Sequence, residues 1–138
     1  MLKIVNSVIE LEITPFEKIT NTPEFGFYHK LLNMYVEFKS KGIHLATTWE
    51  CYLGELEEFQ HNLCHLRENN STDEVTFSPM EGMITLIVGK NIIPFETYYL
   101  KFKLSTEAHA DIFIEGSTGL DQTYIQEIIQ GVHELIVY

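Results

Sequence analysis

Apolar and polar residues along this chain repeat with two periods. Near the start, Ile9, Leu11 and Ile13 alternate with Glu10 and Glu12, the period of a strand with one wet face, and Pro15 is expected to stop it. Residues 14–30 hold two prolines, Gly26 and few periodic apolar positions, which predicts a loop. Asn33 to Phe38 and Ile43 to Trp49 then flank Lys39-Ser40-Lys41-Gly42, a hairpin signal. From Cys51 to about Glu68 the period lengthens. Tyr52, Leu56, Phe59, Leu63 and Leu66 recur at three- and four-residue steps and fall on one helical stripe, which Asn69 to Asp73 ends in a polar loop.

Short β-prone runs follow at Val75 to Phe77, Met83 to Val88, Glu96 to Leu104 and Ala108 to Glu115, each bounded by turn residues such as Gly89-Lys90-Asn91 and Gly116-Ser117. In the clearest of them Tyr98, Leu100, Phe102 and Leu104 alternate with Lys101 and Lys103. The chain closes on Ile125, Ile128, Ile129, Val132, Leu135 and Ile136, the apolar stripe of a second amphipathic helix whose other side carries Gln126, Glu127, Gln130 and Glu134. Gly131 on its rim permits close approach to the sheet. Strands cluster instead of alternating with helices, so the expected class is α+β. It predicts an antiparallel, mostly meandering sheet of about six or seven strands, with the two helices packed on one face. Residues 1–138 read as a single compact domain with no repeat or linker.

Charge alters the picture more than composition does. The chain has 20 acidic and 9 basic side chains, a formal charge of −11, which repels nucleic acid and anionic membranes and attracts basic partners. Acidity is equally an ordinary means of staying soluble. No basic, apolar leader opens the sequence, and no apolar run approaches the roughly 18 residues of a membrane span, so the expected location is cytoplasmic. Cys51 and Cys64, if both lie on the first helix, stand roughly 20 Å apart, too far for a disulfide.

Candidate chemistry is sparse. His61 and His65 stand four apart on the first helix, with Glu57, Cys64 or Glu68 nearby, and resemble half of a zinc site. Asn62 replaces the glutamate of the metalloprotease helix and no distant third ligand can be named, so a solvated polar face is the better reading. No triad accompanies either cysteine. Glu10 with Glu12, and Glu57 with Glu58, lie on wet faces where solvent screens them. Gly116-Ser117-Thr118-Gly119 lacks a P-loop lysine, and Asp121 reads as the N-cap of the last helix, opposing an anion there. The surplus tyrosines suit a core with hydrogen-bonded hydroxyls, or an interface, better than a nucleobase platform. These residues predict no catalytic group, no metal and no cofactor.

The layout as a whole carries a resemblance. A strand hairpin, a helix with Glu55-Leu56-Glu57-Glu58-Phe59 and Leu63, a run of strands, and Leu120-Asp121-Gln122-Thr123-Tyr124-Ile125 opening a final helix resemble the small bacterial proteins that include the WapI-type immunity proteins. The resemblance covers residues 33 to 137 as an order of elements. It implies a non-enzymatic inhibitor that neutralises a basic, nuclease-like toxin by occlusion through an acidic surface. Glu55, Glu57, Glu58 and Glu68 on the exposed side of the first helix are the expected partner-binding residues. The competing expectation is a small-ligand protein or enzyme with a pocket between sheet and helices. The expected oligomeric state is a monomer or a weak homodimer, with edge strands such as Asn33 to Phe38 able to pair between copies.

Overall fold

The structure, a computed structural model, describes residues 1–20, 30–69, 73–107 and 110–138. The inner part of the expected loop at 14–30, the residues Asn70 to Thr72, and Ala108 with His109 lie outside that set. Eight strands and two helices follow one another as β1 (Leu2–Val5), β2 (Ile9–Ile19), β3 (Leu31–Ser40), β4 (Ile43–Tyr52), α1 (Leu53–Glu68), β5 (Glu74–Phe77), β6 (Ile84–Asn91), β7 (Thr97–Ser105), β8 (Phe113–Leu120) and α2 (Gln122–Ile136).

The α+β class and the antiparallel meander are present, but the strands divide into two four-stranded sheets, β1-β2-β3-β4 and β5-β6-β7-β8, where one sheet was expected. The division follows from α1, whose 16 residues separate the two meanders in sequence. Each sheet turns one face inward. Leu11, Ile13, Val36, Phe38, Met34 and Trp49 line the first, and Leu86, Val88, Leu100 and Leu104 the second, all buried in one core. Ring contacts join the sheets: Phe38 to Phe102 at 5.0 Å between centroids, and Trp49 to Phe77 at 6.2 Å.

The order of elements repeats although the sequence does not: four meandering strands and a helix, twice. The helices are exchanged between the halves. α1 packs along β5, the first strand of the second half, and α2 along β1, the first strand of the first half, while α1 and α2 also pack on each other. They do not lie together on one face of a single sheet. Close approach of α2 to β1 depends on Gly131, where a β-carbon would stand 2.9 Å from the Cα of Leu2. The expected packing role of this glycine holds.

Several boundaries differ from the sequence pattern. β2 continues through Pro15 to Ile19, with a register shift between Pro15 and Glu17. The β1–β2 pairing extends only to Leu2 opposite Ile13, so Pro15 has no β1 residue paired with it and a missing N–H on that side is tolerated. β4 runs on to Tyr52, which puts Cys51 on a strand instead of on α1, and both cysteines are free thiols. β8 begins at Phe113 and contains Gly116-Ser117-Thr118-Gly119, so that segment is a strand and not a loop before a helix. β3 is paired on both sides, so Asn33 to Phe38 is not an edge.

Candidate functional site

Helix α1 carries the residues expected to meet a partner. Its buried stripe of Leu56, Phe59, Leu63 and Leu66 fixes the rotation of the helix, with Phe59 stacked on Phe77 at 4.8 Å between centroids. That rotation leaves Glu57, Glu58 and Glu68 exposed. No described cation pairs with Glu57 or Glu58, whereas Glu68 lies 3.6 Å from the Arg67 guanidinium.

Glu55 is placed differently. One carboxylate oxygen accepts the Tyr52 N–H at 3.0 Å, as the third residue of a helix does in a capping box, and the other accepts the Met80 N–H at 3.1 Å. Both oxygens are therefore committed to backbone, one joining the helix start to the β5–β6 turn. Glu81 from that turn accepts the Glu50 N–H at 2.8 Å. Partial burial, and then the Glu81 charge, push the Glu50 carboxyl above its ordinary range. Burial, assisted by Glu55, Glu81 and Glu50, pushes the Cys51 thiol far up, which makes it a poor nucleophile.

Because each helix packs on the first strand of the other half, two grooves occupy equivalent places. The groove between α1 and β5 has a volume of about 360 Å³ and is rimmed by His61, His65, Asn69 and Glu74. The two imidazoles lie 5.4 Å apart between centroids, and His65 Nδ1 accepts from Asn69 Nδ2 at 2.9 Å. Among the described residues no group of three or more His, Cys, Asp or Glu side chains is arranged to hold a metal ion.

The groove between α2 and β1 is larger, about 680 Å³, with Val5 and Gly131 among its lining and Lys3, Asp121, Glu127 and Glu134 supplying charge. Asp121 caps α2 as its sequence position suggests, accepting the Thr123 N–H at 2.8 Å. The Thr123 hydroxyl and then its N–H hold the Asp121 carboxyl below the usual range. Glu134 binds the Met1 ammonium at 2.9 Å, and that bond lowers the carboxyl's pKa. The Tyr124 hydroxyl donates to the Val5 carbonyl at the end of β1.

Other tyrosines are also committed. The Tyr98 hydroxyl donates to Glu96 at 3.0 Å and the Tyr99 hydroxyl to Glu74 at 2.7 Å, which matches the expected use of tyrosine as packing with a satisfied oxygen. Among the described residues no helix is long and apolar enough to cross a membrane.

Sequence reasoning missed Lys90. It stands in what reads as a Gly-Lys-Asn turn, yet it is 3% exposed on the inner side of β6. Its ammonium donates to the carbonyls of Leu66 at 3.1 Å, Arg67 at 3.3 Å and Asn69 at 2.6 Å, and pairs with Glu96 at 3.1 Å. It thereby caps the C-terminus of α1, where the helix dipole favours a cation. The only signal in the sequence is the alternation Leu86, Val88, Lys90, which places the lysine on the core side. No protein-family model matches this chain, and neither a curated protein nor a solved structure matches it significantly.

Proposed function

We propose that this protein is a non-enzymatic binding domain that neutralises a basic protein, as an immunity protein neutralises a nuclease-like toxin, by covering it with acidic surface. One observation carries the reading: Glu57 and Glu58 stand exposed on α1 with no described counter-ion, Glu68 stands exposed beyond them, and the net charge is −11. Carboxylates without a local cation leave their field free to steer a basic partner, and the association rate then falls as salt screens it. Glu55 supports this surface structurally instead of binding through it, because its oxygens hold Tyr52 and Met80.

A second reading has its own observation. The 680 Å³ groove between α2 and β1 is of the size that small ligands occupy, and Lys3, Asp121, Glu127 and Glu134 converge on it with Val5 and Tyr124. Affinity capture from the source-cell lysate at low and at moderate salt separates the two. One stoichiometric basic partner that salt releases supports the binding domain. Failure to capture any protein under both conditions transfers the weight to the groove, and ligand screening decides it.

A further inference from the structure

We propose that His61 and His65 form a binding site for a late first-row divalent cation such as Zn²⁺ or Ni²⁺, held by one nitrogen of each imidazole with water in the remaining positions. The inference rests on these two rings and is independent of any protein partner of the acidic face.

The fold supplies the spacing. His61 and His65 stand one turn apart on α1, where residues four apart share a face with their β-carbons about 5–6 Å from each other. Leu63 and Leu66 of the same turn are buried, so the helix is docked there while both imidazoles remain exposed. Once one ring has bound an ion, the second binds as an intramolecular step at high effective concentration.

The rings already stand near the separation that a shared ion requires. Their centroids are 5.4 Å apart and their planes are inclined at 60°, so they do not stack. Two imidazoles on one tetrahedral ion, each with its nitrogen about 2.0–2.1 Å from the metal, have centroids about 5 Å apart. Rotation of two exposed side chains closes the small difference.

A neighbouring side chain selects the nitrogen. Asn69 Nδ2 lies 2.9 Å from His65 Nδ1, which leaves Nε2 of that ring for the metal. An ion on Nε2 places the ring proton on Nδ1, and Nδ1–H then donates to the Asn69 amide oxygen when the amide turns over. Such a bond holds the tautomer and the orientation of a ligating histidine. Neither imidazole has an ion-pair partner among the described residues, whereas His44 lies 3.5 Å from Glu37.

The pair rims the 360 Å³ groove between α1 and β5, which leaves room for water ligands. Glu74 of the groove is committed to Tyr99 and Lys101, and among the described residues no third protein ligand closes the site. Affinity is therefore modest. Exposed Glu57, one turn before His61, and the net charge of −11 favour a cation here. Imidazole selects Zn²⁺, Ni²⁺ and Cu²⁺ over Mg²⁺ and Ca²⁺, which prefer oxygen.

Calorimetric titration of the intact protein with Zn²⁺ alone tests the inference. The expected result is a site that excess Mg²⁺ does not compete for. His61→Ala and His65→Ala each raise its dissociation constant by about tenfold or more. His133→Ala, on α2 with no histidine one turn away, leaves it unchanged. Because His61 and His65 are exposed, both variants are expected to fold, with circular dichroism as the check. Nuclear magnetic resonance gives a second readout on the unaltered protein, in which Zn²⁺ shifts both ring signals in one step. Absence of Zn²⁺ binding, a dissociation constant that either folded variant leaves unchanged, ring signals that do not shift together, or equal competition by Mg²⁺ overturns the proposal.

Discussion

Lys18 and Lys90 hold the same place in the two halves of this molecule. Each is the penultimate residue of the second strand of its half, and each donates to the C-terminal end of the other half's helix, Lys18 to the Ile136 carbonyl at 3.1 Å and Lys90 to three carbonyls at the end of α1. The exchange of helices seen in the packing is thus repeated in the capping.

The two lysines differ in burial, and their removal is expected to differ accordingly. Lys90→Met leaves three buried or half-buried carbonyls without their donor and Glu96 without its cation, at an expected cost of about 2–4 kcal/mol. Lys18→Met removes the one bond that its ammonium makes among the described residues, from a half-buried site, and is expected to cost about 0.5–1 kcal/mol. Urea denaturation of both variants checks the order, and hydrogen exchange checks that the last turn of α1 frays in the first.

Tyr99 crosses over Gly89 to reach Glu74, and the three are level with one another across β7, β6 and β5. A β-carbon on Gly89 would stand 2.0 Å from Tyr99 Cζ. Gly89→Ala must displace the ring and is expected to destabilise by about 1–3 kcal/mol. In a Tyr99→Ala background the same change is expected to cost little, and a double-mutant cycle by urea denaturation measures the coupling.

The same bond sets a pH window. The Glu74 bond, then partial burial, raise the Tyr99 hydroxyl from 10.0 to about 12, and the Tyr99 hydroxyl, then Lys101, hold Glu74 below 4.5. Between pH 10.0 and about 12 the unfolded tyrosine has lost its proton and the folded one has not, so stability falls as pH rises through that range. Below pH 4.5 the unfolded glutamate takes up a proton before the folded one, so stability falls there as pH drops. Tyr99→Phe is expected to reduce the alkaline slope in thermal denaturation without abolishing it, because Tyr98 is also raised to about 12.

Gly131 carries the junction of α2 with β1. Gly131→Val pushes a branched side chain against the Leu2 backbone and is expected to cost about 1–3 kcal/mol. A single transition at lowered urea midpoint is the expected readout, and unchanged stability would show that the helix can shift outward freely.

Elements whose side chains alternate or recur cleanly were legible in the sequence. The strand at Tyr98 to Leu104, the stripe of α2, the hairpin turning at Gly42 and the close approach at Gly131 are all present. What local pattern did not show depends on neighbours distant in sequence. Pro15 sits within β2 because the β1 pairing stops short of it, Lys90 is buried because α1 offers carbonyls to it, and Gly116 is a strand residue because the Phe102 ring lies over it. The division into two sheets was hidden for the same reason, since both meanders have the same alternation. At the candidate site, exposure of Glu57, Glu58 and Glu68 followed from the helical stripe. The commitment of Glu55 did not, because its second partner, Met80, comes from a turn 25 residues away.

The role of the acidic face is tested most directly by the triple variant Glu57→Lys, Glu58→Lys, Glu68→Lys, compared with the unaltered protein for association with the captured basic partner across a range of salt. These side chains are exposed, so the fold is expected to persist, with circular dichroism as the check. The expected result is an association rate that falls at least about tenfold at low salt and loses most of its salt dependence. An unchanged rate with an unchanged salt slope would contradict the assignment of the acidic face of α1 as the binding surface.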